Sequence, residues 1–178
     1  GYAIDGYFLS SDNGGKVNAA LSGTKNFTIG AYVKMEDLNS DNVILAKGDT
    51  QVTIKIQGGG MLEFFVYRGN WDAIINVNPS EAGLAVGQWA YVVGVREGNY
   101  LRLYVNGKLV GTASNASGSV STNTTKFGVG AQPDAGRYGR SSFAYAHVLP
   151  FAATEAQIKT TYEALKNGTT PAYTAADS

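Results

Sequence analysis

Apolar and polar residues alternate along most of this chain, which is the period expected of strands with one buried face. The first such run has the apolar positions Phe27, Ile29, Ala31, Val33 and Met35, and four more runs follow at Val52–Ile56, Leu62–Tyr67, Trp89–Val95 and Leu101–Val105. Each run has the length of a strand and is bounded by Gly, Asn, Asp or Ser. Strands in series without intervening helices predict an antiparallel sandwich or barrel.

Turn residues between these runs predict hairpins. Asn106-Gly107 separates Leu101–Val105 from Lys108–Thr112, and this dipeptide tolerates the positive φ angles of a type I′ turn. Gly58–Gly60 and Glu97–Asn99 are predicted as the turns of two further hairpins.

One short surface helix is predicted near the C-terminus. Thr154 and Gln157 have the spacing of a capping box, and Ile158, Tyr162 and Leu165 follow on one helical face. The helix should therefore pack on the outside of the sandwich. Residues 167–178 are small, polar and rich in Thr and Ala, which predicts a linker or tail joining one domain, residues 1–166, to neighbouring domains.

Composition and charge exclude several functions. The 178 residues suit one domain, and the net charge of zero gives no field that attracts nucleic acid. No apolar run approaches the roughly 18 residues of a membrane span, so membrane insertion is not expected. The absence of cysteine excludes disulfides, thiolate metal ligands and cysteine nucleophiles.

Five stretches in this order resemble the laminin-G-like branch of the concanavalin A-like lectin/glucanase superfamily, from about Asp5 to Leu165. They are Asn26–Lys34, Ile44–Asp49, Gly87–Gly94, Leu101–Lys108 and Phe143–Tyr162. The resemblance implies an all-β, two-sheet antiparallel jelly-roll sandwich with adjacent terminal strands. It does not fix the function, because this sandwich serves sugar binders, adhesion modules and enzymes alike.

The resemblance also implies a location and a metal. Bacterial domains of this type accompany secreted polysaccharide-degrading enzymes, so an extracellular location, secreted or cell-surface, is expected. The family often holds a structural calcium between an early Asp-Gly and an acidic residue of the closing strand. Asp5-Gly6 matches the first part, whereas Ala144 stands where the acid is expected. Calcium requires six to eight oxygens with carboxylates among them, so a structural Ca²⁺ at Asp5 and a calcium-free domain both stay open.

The residues that catalysis on this fold requires are missing. Glycosidases of the superfamily place paired carboxylates on alternate positions of one strand, about 5–5.5 Å apart in retaining enzymes. Glu63 is the single acid of its predicted strand, and Glu97 lies in a turn. The one histidine, His147, lies in the closing strand and is interpreted as structural. The chain is therefore predicted to be non-catalytic.

The strongest candidate for ligand binding is one turn that combines aromatic, amide and charged side chains. Sugars are bound by aromatic faces together with groups that make directed hydrogen bonds to hydroxyls. The turn supplies both with Tyr67, Arg68, Asn70, Trp71 and Asp72. The alternative is structural, in which Trp71 covers the end of the sandwich and Arg68 pairs with Asp72.

A second candidate is the predicted loop over residues 132–142, in which Arg137 and Arg140 flank Tyr138. This set suits a carboxylate-bearing or hydroxyl-rich ligand, and the alternative is a solvated loop. The sequence leaves open whether the two segments converge. Trp89 is instead assigned to the core, because it falls in phase with Tyr91, Val93 and Val95.

These observations predict a non-catalytic carbohydrate-binding module that binds a glycan or polysaccharide and belongs to a larger carbohydrate-active protein. Two alternatives stay open: an adhesion domain that binds a protein partner, and a structural spacer. A sugar binder should present aromatic and Arg side chains in one concave site. A protein binder should expose an apolar patch instead.

Overall fold

Strands dominate the computed structural model, which describes residues 3–11, 15–169, 171 and 173. In chain order they are β1 (Ile4–Asp5), β2 (Phe8–Leu9), β3 (Phe27–Met35), β4 (Val43–Ala46), β5 (Val52–Ile56), β6 (Leu62–Val66), β7 (Ala73–Val77), β8 (Trp89–Glu97), β9 (Tyr100–Val105), β10 (Lys108–Ala113), β11 (Gly128–Val129), β12 (Ala131–Gln132), β13 (Arg137–Tyr138) and β14 (Ser141–Leu149). The helices are α1 (Gly15–Leu21), α2 (Pro79–Ala82) and α3 (Glu155–Lys166), and a 3₁₀ turn spans Pro133–Ala135.

The strands form two antiparallel sheets of six strands each. The first sheet has the order β1-β14-β3-β8-β9-β10, and the second has the order β2-β11-β4-β5-β6-β7. The terminal strands are adjacent, since Ile4 of β1 lies opposite Phe143 of β14. The predicted two-sheet jelly-roll sandwich is thereby confirmed.

The main core lies between the two sheets and follows the predicted alternation. Phe27, Ile29, Ala31, Val33 and Met35 of β3 are all at most 1% exposed. The sheets approach closely at Gly94, where a Cβ would lie 2.8 Å from the Phe64 ring, so this position has no room for a larger side chain. Close packing of this kind holds the second sheet, and therefore its outer face, in a fixed position.

Strand β8 is buried on both faces, which corrects the assignment of Trp89. Ala90 and Val92 face the core between the sheets, whereas Tyr91 and Val93 belong to a second apolar cluster on the other face, beneath α3. Trp89 shares that outer phase and is only half-buried, with its ring stacked on Tyr32 at 5.2 Å. Trp89 does point to the same side of β8 as Tyr91, as predicted. That side faces the second cluster, so Trp89 does not lie in the core between the sheets.

Helix α3 begins with the predicted capping box. The Gln157 backbone N–H donates to the Thr154 hydroxyl at 3.1 Å, and the Thr154 N–H donates to Gln157 Oε1 at 2.9 Å. Ile158 is fully buried in the second cluster, so α3 packs on the outside of the first sheet as predicted. Tyr173 of the predicted tail also packs against this cluster, while residues 170, 172 and 174–178 lie outside the described part.

The turns follow their sequences, and several local elements were not anticipated. Asn106 and Gly107 have φ of 53° and 80°, which is the left-handed conformation predicted for the β9–β10 turn. Residues 132–142 were predicted as a loop but include the end of β12, all of its partner β13 and the start of β14. Helices α1 and α2 were also missed, because each is too short to show a helical period.

Among the helices of the described residues, none has the length and apolar character needed to cross a bilayer.

Candidate functional site

A groove of about 320 Å³ lies on the outer face of the second sheet. Strand alternation produces it: Ile54, Phe64 and Ile75 point into the core, so their neighbours on β5, β6 and β7 point outward. The groove is lined by Asp49, Lys55, Glu63, Phe65, Trp71, Ile74 and Arg137. Residues from both sequence-predicted segments, Trp71 and Arg137, therefore meet in one concave site.

Trp71 is the aromatic face of this groove. Its side chain is 50% exposed, and its Nε1–H donates to the Asp49 carbonyl at 2.6 Å. The Tyr67 ring packs against it with centroids 4.6 Å apart. Phe65 is 4% exposed and contributes an apolar surface below. The indole is thus held by one hydrogen bond and one ring contact while half of it stays accessible.

Asp49 connects the segments that form the groove. Its N–H donates to Asp134 Oδ2 at 3.2 Å, and its carboxylate accepts from Gln132 Nε2 at 2.6 Å and from Arg137 at 3.2 Å. Gly48 precedes it with φ of +117°, and a Cβ there would lie 2.6 Å from Asp134 Oδ2. Glycine at position 48 therefore permits both the left-handed turn and the approach of Asp134.

The two cations of the groove are paired with aspartates. Asp41 lies 3.4 Å from Lys55 Nζ and 3.5 Å from Arg137 Nε. Arg137 also bonds Asp49, so Lys55, Asp41, Arg137 and Asp49 form one continuous chain of alternating charge. Lys55 is 6% exposed and Arg137 is half-buried, so solvent screens these pairs only in part.

Glu63 differs from the other ionisable groups of the groove. It lies opposite Lys55 of β5 and Asn76 of β7, and it is half-buried. Within the described part of the chain its carboxylate makes no hydrogen bond and no ion pair. Burial raises the pKa of the Glu63 carboxyl, and the charge of Lys55 opposes that rise. Glu63 therefore contributes an acceptor whose hydrogen-bonding capacity is not used by the described residues.

The remaining residues of the Tyr67–Asp72 turn are engaged in building it. Arg68 forms an ion pair with Asp72 and donates to the Ser117 carbonyl. Asn70 Oδ1 accepts from the Asp72 N–H at 3.3 Å. The pairing that the structural alternative required is present, yet Trp71 stays half-exposed beside it.

Tyr138 and Arg140 lie outside the lining of the groove. The Tyr138 ring contacts that of Tyr7 at 4.8 Å, because alternation along β13 turns it away from Arg137. Arg140 bonds Asp37 through Nε at 2.5 Å and NH2 at 3.0 Å, and this contact raises the pKa of Arg140. Only Arg137 of the second predicted segment reaches the groove.

Sequence reasoning missed the residues that the sheet contributes to the groove. Phe65 and Ile74 carried a signal, since each is apolar at the outward position of its strand, where a polar residue is typical. Lys55 and Asp49 carried none, because their partners are distant in sequence.

The calcium expected from the resemblance has one carboxylate available at Asp5. That carboxylate accepts a hydrogen bond from Ser142 Oγ at 2.5 Å across the β1–β14 pair. In the part of the chain that the structure describes, no three His, Cys, Asp or Glu side chains come together as metal ligands. These donors do not fit the six to eight oxygens that calcium takes, and the calcium site stays a prediction of the resemblance.

Solved structures with the same fold include several binding domains. Domain 4 of AbnA, an extracellular GH43 arabinanase from Geobacillus stearothermophilus solved with arabinotriose, is 15% identical at TM-score 0.60, covering 78% of this chain and 66% of that one. A putative carbohydrate-binding protein from Bacteroides ovatus is 16% identical at TM-score 0.64, covering 89% and 46%. The botulinum neurotoxin DC binding domain, solved with rat synaptotagmin II, is 12% identical at TM-score 0.64, covering 92% and 43%.

At these identities the likeness shows a shared fold, and this chain spans less than half the length of the second and third structures. No curated protein sequence matches the chain. Residues 9–159 match a laminin G family model described as the concanavalin A-like lectin/glucanases superfamily. The fold, the strand order and this match agree, and the chain belongs to the concanavalin A-like lectin/glucanases superfamily as a laminin-G-like domain.

Proposed function

We propose that this domain is a non-catalytic carbohydrate-binding module whose glycan lies in the groove on the second sheet. The observation that carries the proposal is Trp71, a half-exposed indole fixed by Asp49 and Tyr67 at the edge of a polar groove. A pre-oriented aromatic face packs on the C–H surface of a sugar ring without losing further side-chain entropy. The charged rim formed by Asp49, Glu63 and Arg137 supplies partners for hydroxyls.

The size of the groove agrees with a weak, open site. Its volume of about 320 Å³ is at the small end of ligand pockets, which run from about 300 to 1,000 Å³. We therefore expect Kd values between roughly millimolar and micromolar, as for small wet sites.

Such a module would concentrate an attached enzyme on its polysaccharide, in a secreted or cell-surface protein. Neighbours solved with arabinotriose or named as carbohydrate-binding support this setting.

The first test is a glycan-array screen of the domain, with and without calcium, comparing wild type with Trp71→Ala. We expect specific binding that falls by at least about tenfold in the variant, because the stacking surface is removed. Tyr100→Ala is the matched control: Tyr100 is 46% exposed and lies on β9 of the opposite sheet, so binding should be unchanged. Wild type that binds no glycan would contradict the proposal, and Trp71→Ala that binds like wild type would move the site.

The non-catalytic part of the proposal has its own measurement. Glu63 is the one carboxylate on β6, and the aspartates near it are paired with Lys55 and Arg137. A retaining glycosidase needs two carboxyls about 5–5.5 Å apart with separate acid and nucleophile roles. We expect no new reducing ends when the best array ligand is incubated with the domain. Release of reducing ends that stops in Glu63→Gln would identify an enzyme instead.

Adhesion to a protein partner is a second candidate, favoured by an exposed apolar edge. Ile4, Tyr7, Phe8, Leu9 and Tyr138 are each between 38% and 49% exposed. Tyr7 and Tyr138 are in ring contact, and exposed apolar patches mark interaction sites on many proteins. This function predicts binding that survives Trp71→Ala and is lost in Phe8→Ser, the reverse of the glycan result.

A further inference from the structure

The charges in the groove restrict which glycans it accepts. Both of its cations already have carboxylate partners, since Lys55 pairs with Asp41 and Arg137 pairs with Asp41 and Asp49. An anionic sugar would have to compete with these aspartates for a cation whose charge they already offset. Arg140, the other arginine that the sequence offered to an acidic ligand, is paired with Asp37 outside the groove.

Glu63 adds a carboxylate without a matching cation. Asp49 and Glu63 balance Lys55 and Arg137 in the lining of the groove. Asp41, which pairs with both cations from outside the lining, brings the charge of the whole network to one more ionised acid than base when all are charged. A carboxylate or sulfate brought into a partly buried site of this sign is repelled, and the repulsion is stronger there than in bulk water.

The same carboxylate has acceptor capacity that the described part of the chain leaves unused. Glu63 is half-buried between Lys55 and Asn76, and it makes no hydrogen bond within the described residues. An ionised carboxylate accepts from several donors and bonds hydroxyl groups more strongly than a neutral acceptor does. A polyhydroxylated ligand supplies such donors and carries no charge that the groove would repel.

On the condition that the proposed glycan site is correct, we infer that the groove selects neutral oligosaccharides over anionic ones and that Glu63 is the acceptor for their hydroxyls. The C–H face of a sugar ring then packs on Trp71, and the hydroxyl edge of the ligand faces Glu63 on β6. The paired cations Lys55 and Arg137 position the aspartates, and they do not capture acids.

The test uses matched pairs of probes on the full chain. Lactose and sialyllactose form one pair, and xylan and glucuronoxylan fragments form another, and affinities are measured by titration calorimetry at pH 7. Where a pair binds, we expect the neutral member to bind at least about tenfold more tightly. Glu63→Gln keeps the side-chain size while removing the charge. It should weaken neutral binding about tenfold and reduce the preference between the two members.

Glu97→Gln is the matched control, because Glu97 is an exposed carboxylate paired with Arg102 on the first sheet. It should leave affinity and preference unchanged. Glu63→Gln should also unfold at the same temperature as wild type or higher, since a partly buried charge is removed. Tighter binding of the anionic member, or a Glu63→Gln variant that matches wild type in affinity and preference, would overturn this inference alone. Failure of wild type to bind any glycan would instead overturn the proposed function.

Discussion

A single arginine shows how a charged side chain in this protein serves architecture. Arg96 at the end of β8 is 1% exposed and donates to three backbone carbonyls, those of Gly23, Ala116 and Gly118, at 2.5–2.7 Å. Its burial lowers the pKa of the guanidinium, and the charge of Arg68 adds to that effect. The carbonyls belong to two loops that are far apart in sequence. Arg96 therefore ties the segment before β3 to the segment after β10.

Replacement of this arginine should be costly. In Arg96→Met the carbonyls of Gly23, Ala116 and Gly118 lose a charged donor, and we expect the free energy of unfolding to fall by about 2–4 kcal/mol. Urea unfolding followed by fluorescence measures the change. The control is Arg102→Met, which removes a partly exposed arginine paired with the exposed Glu97 and should cost less than about 1 kcal/mol. Equal stabilities for the two variants would show that the carbonyl contacts do not stabilise the fold.

At the scale of elements, helix α3 adds a third layer with a buried histidine beneath it. His147 of β14 bonds Tyr91 through Nε2 at 2.6 Å, and Tyr91 bonds Tyr173 at 2.7 Å. Gly30 lies opposite His147, and a Cβ there would be 2.6 Å from Nε2, so glycine provides the space that the ring occupies. His147 Nδ1 is buried without a hydrogen-bond partner among the described residues. The histidine thus has a packing role, in line with the structural interpretation from the sequence.

This cluster should make folding stability depend on pH. Burial lowers the pKa of His147 from 6.5 to about 4. Because the unfolded chain binds the proton more readily, the contribution of His147 is complete above about pH 6.5 and is lost as the pH falls toward 4. Its neighbours Tyr91, Tyr145 and Tyr173 have raised pKa values and stay neutral in this range. We expect about 3 kcal/mol of unfolding free energy to be lost between pH 7 and pH 4 through this group.

The measurement is urea unfolding of wild type and His147→Gln at a series of pH values. Acidic residues contribute to both proteins, so the difference between the two curves isolates His147. The excess of the free energy of unfolding of wild type over that of His147→Gln should shrink or change sign as the pH falls. Parallel curves from pH 7 to pH 4 would mean that His147 titrates with an ordinary pKa.

At the scale of the whole molecule, the sandwich is closed by pairing its terminal strands. β1 pairs with β14, and Asp5 contributes a carboxylate hydrogen-bonded by Ser142 at that position. If calcium also bound there at about 100 times its Kd, it would raise the free energy of unfolding by about 2.7 kcal/mol.

We expect melting curves in millimolar CaCl₂ and in EDTA to coincide, because one carboxylate supplies too few of the oxygens that calcium requires. Differential scanning fluorimetry is sufficient for this comparison. A calcium-dependent rise of several degrees that is abolished in Asp5→Asn would establish the metal site. A rise that persists in Asp5→Asn would place calcium elsewhere in the molecule.

The sequence by itself determined the features that depend on neighbours along the chain. Alternation fixed the strand faces of β3, the dipeptide Asn106-Gly107 fixed a hairpin, and Thr154 and Gln157 fixed the start of α3. Each is local, because side-chain period, turn conformation and helix capping are set within a few residues. The order of the five stretches that resemble laminin-G-like domains also predicted the correct superfamily.

Only the tertiary structure decided what the two faces of each strand meet. It placed Trp89 on the outer side of the first sheet, since a strand covered on both sides has two apolar phases. It brought Arg137 to Asp49 across 88 positions of sequence, and it placed Glu63 beside them with no hydrogen bond to its carboxylate from the described residues. The register between distant strands depends on the packing of the entire sandwich and leaves no mark in the local pattern, so the groove and its charges could be found only in the folded molecule.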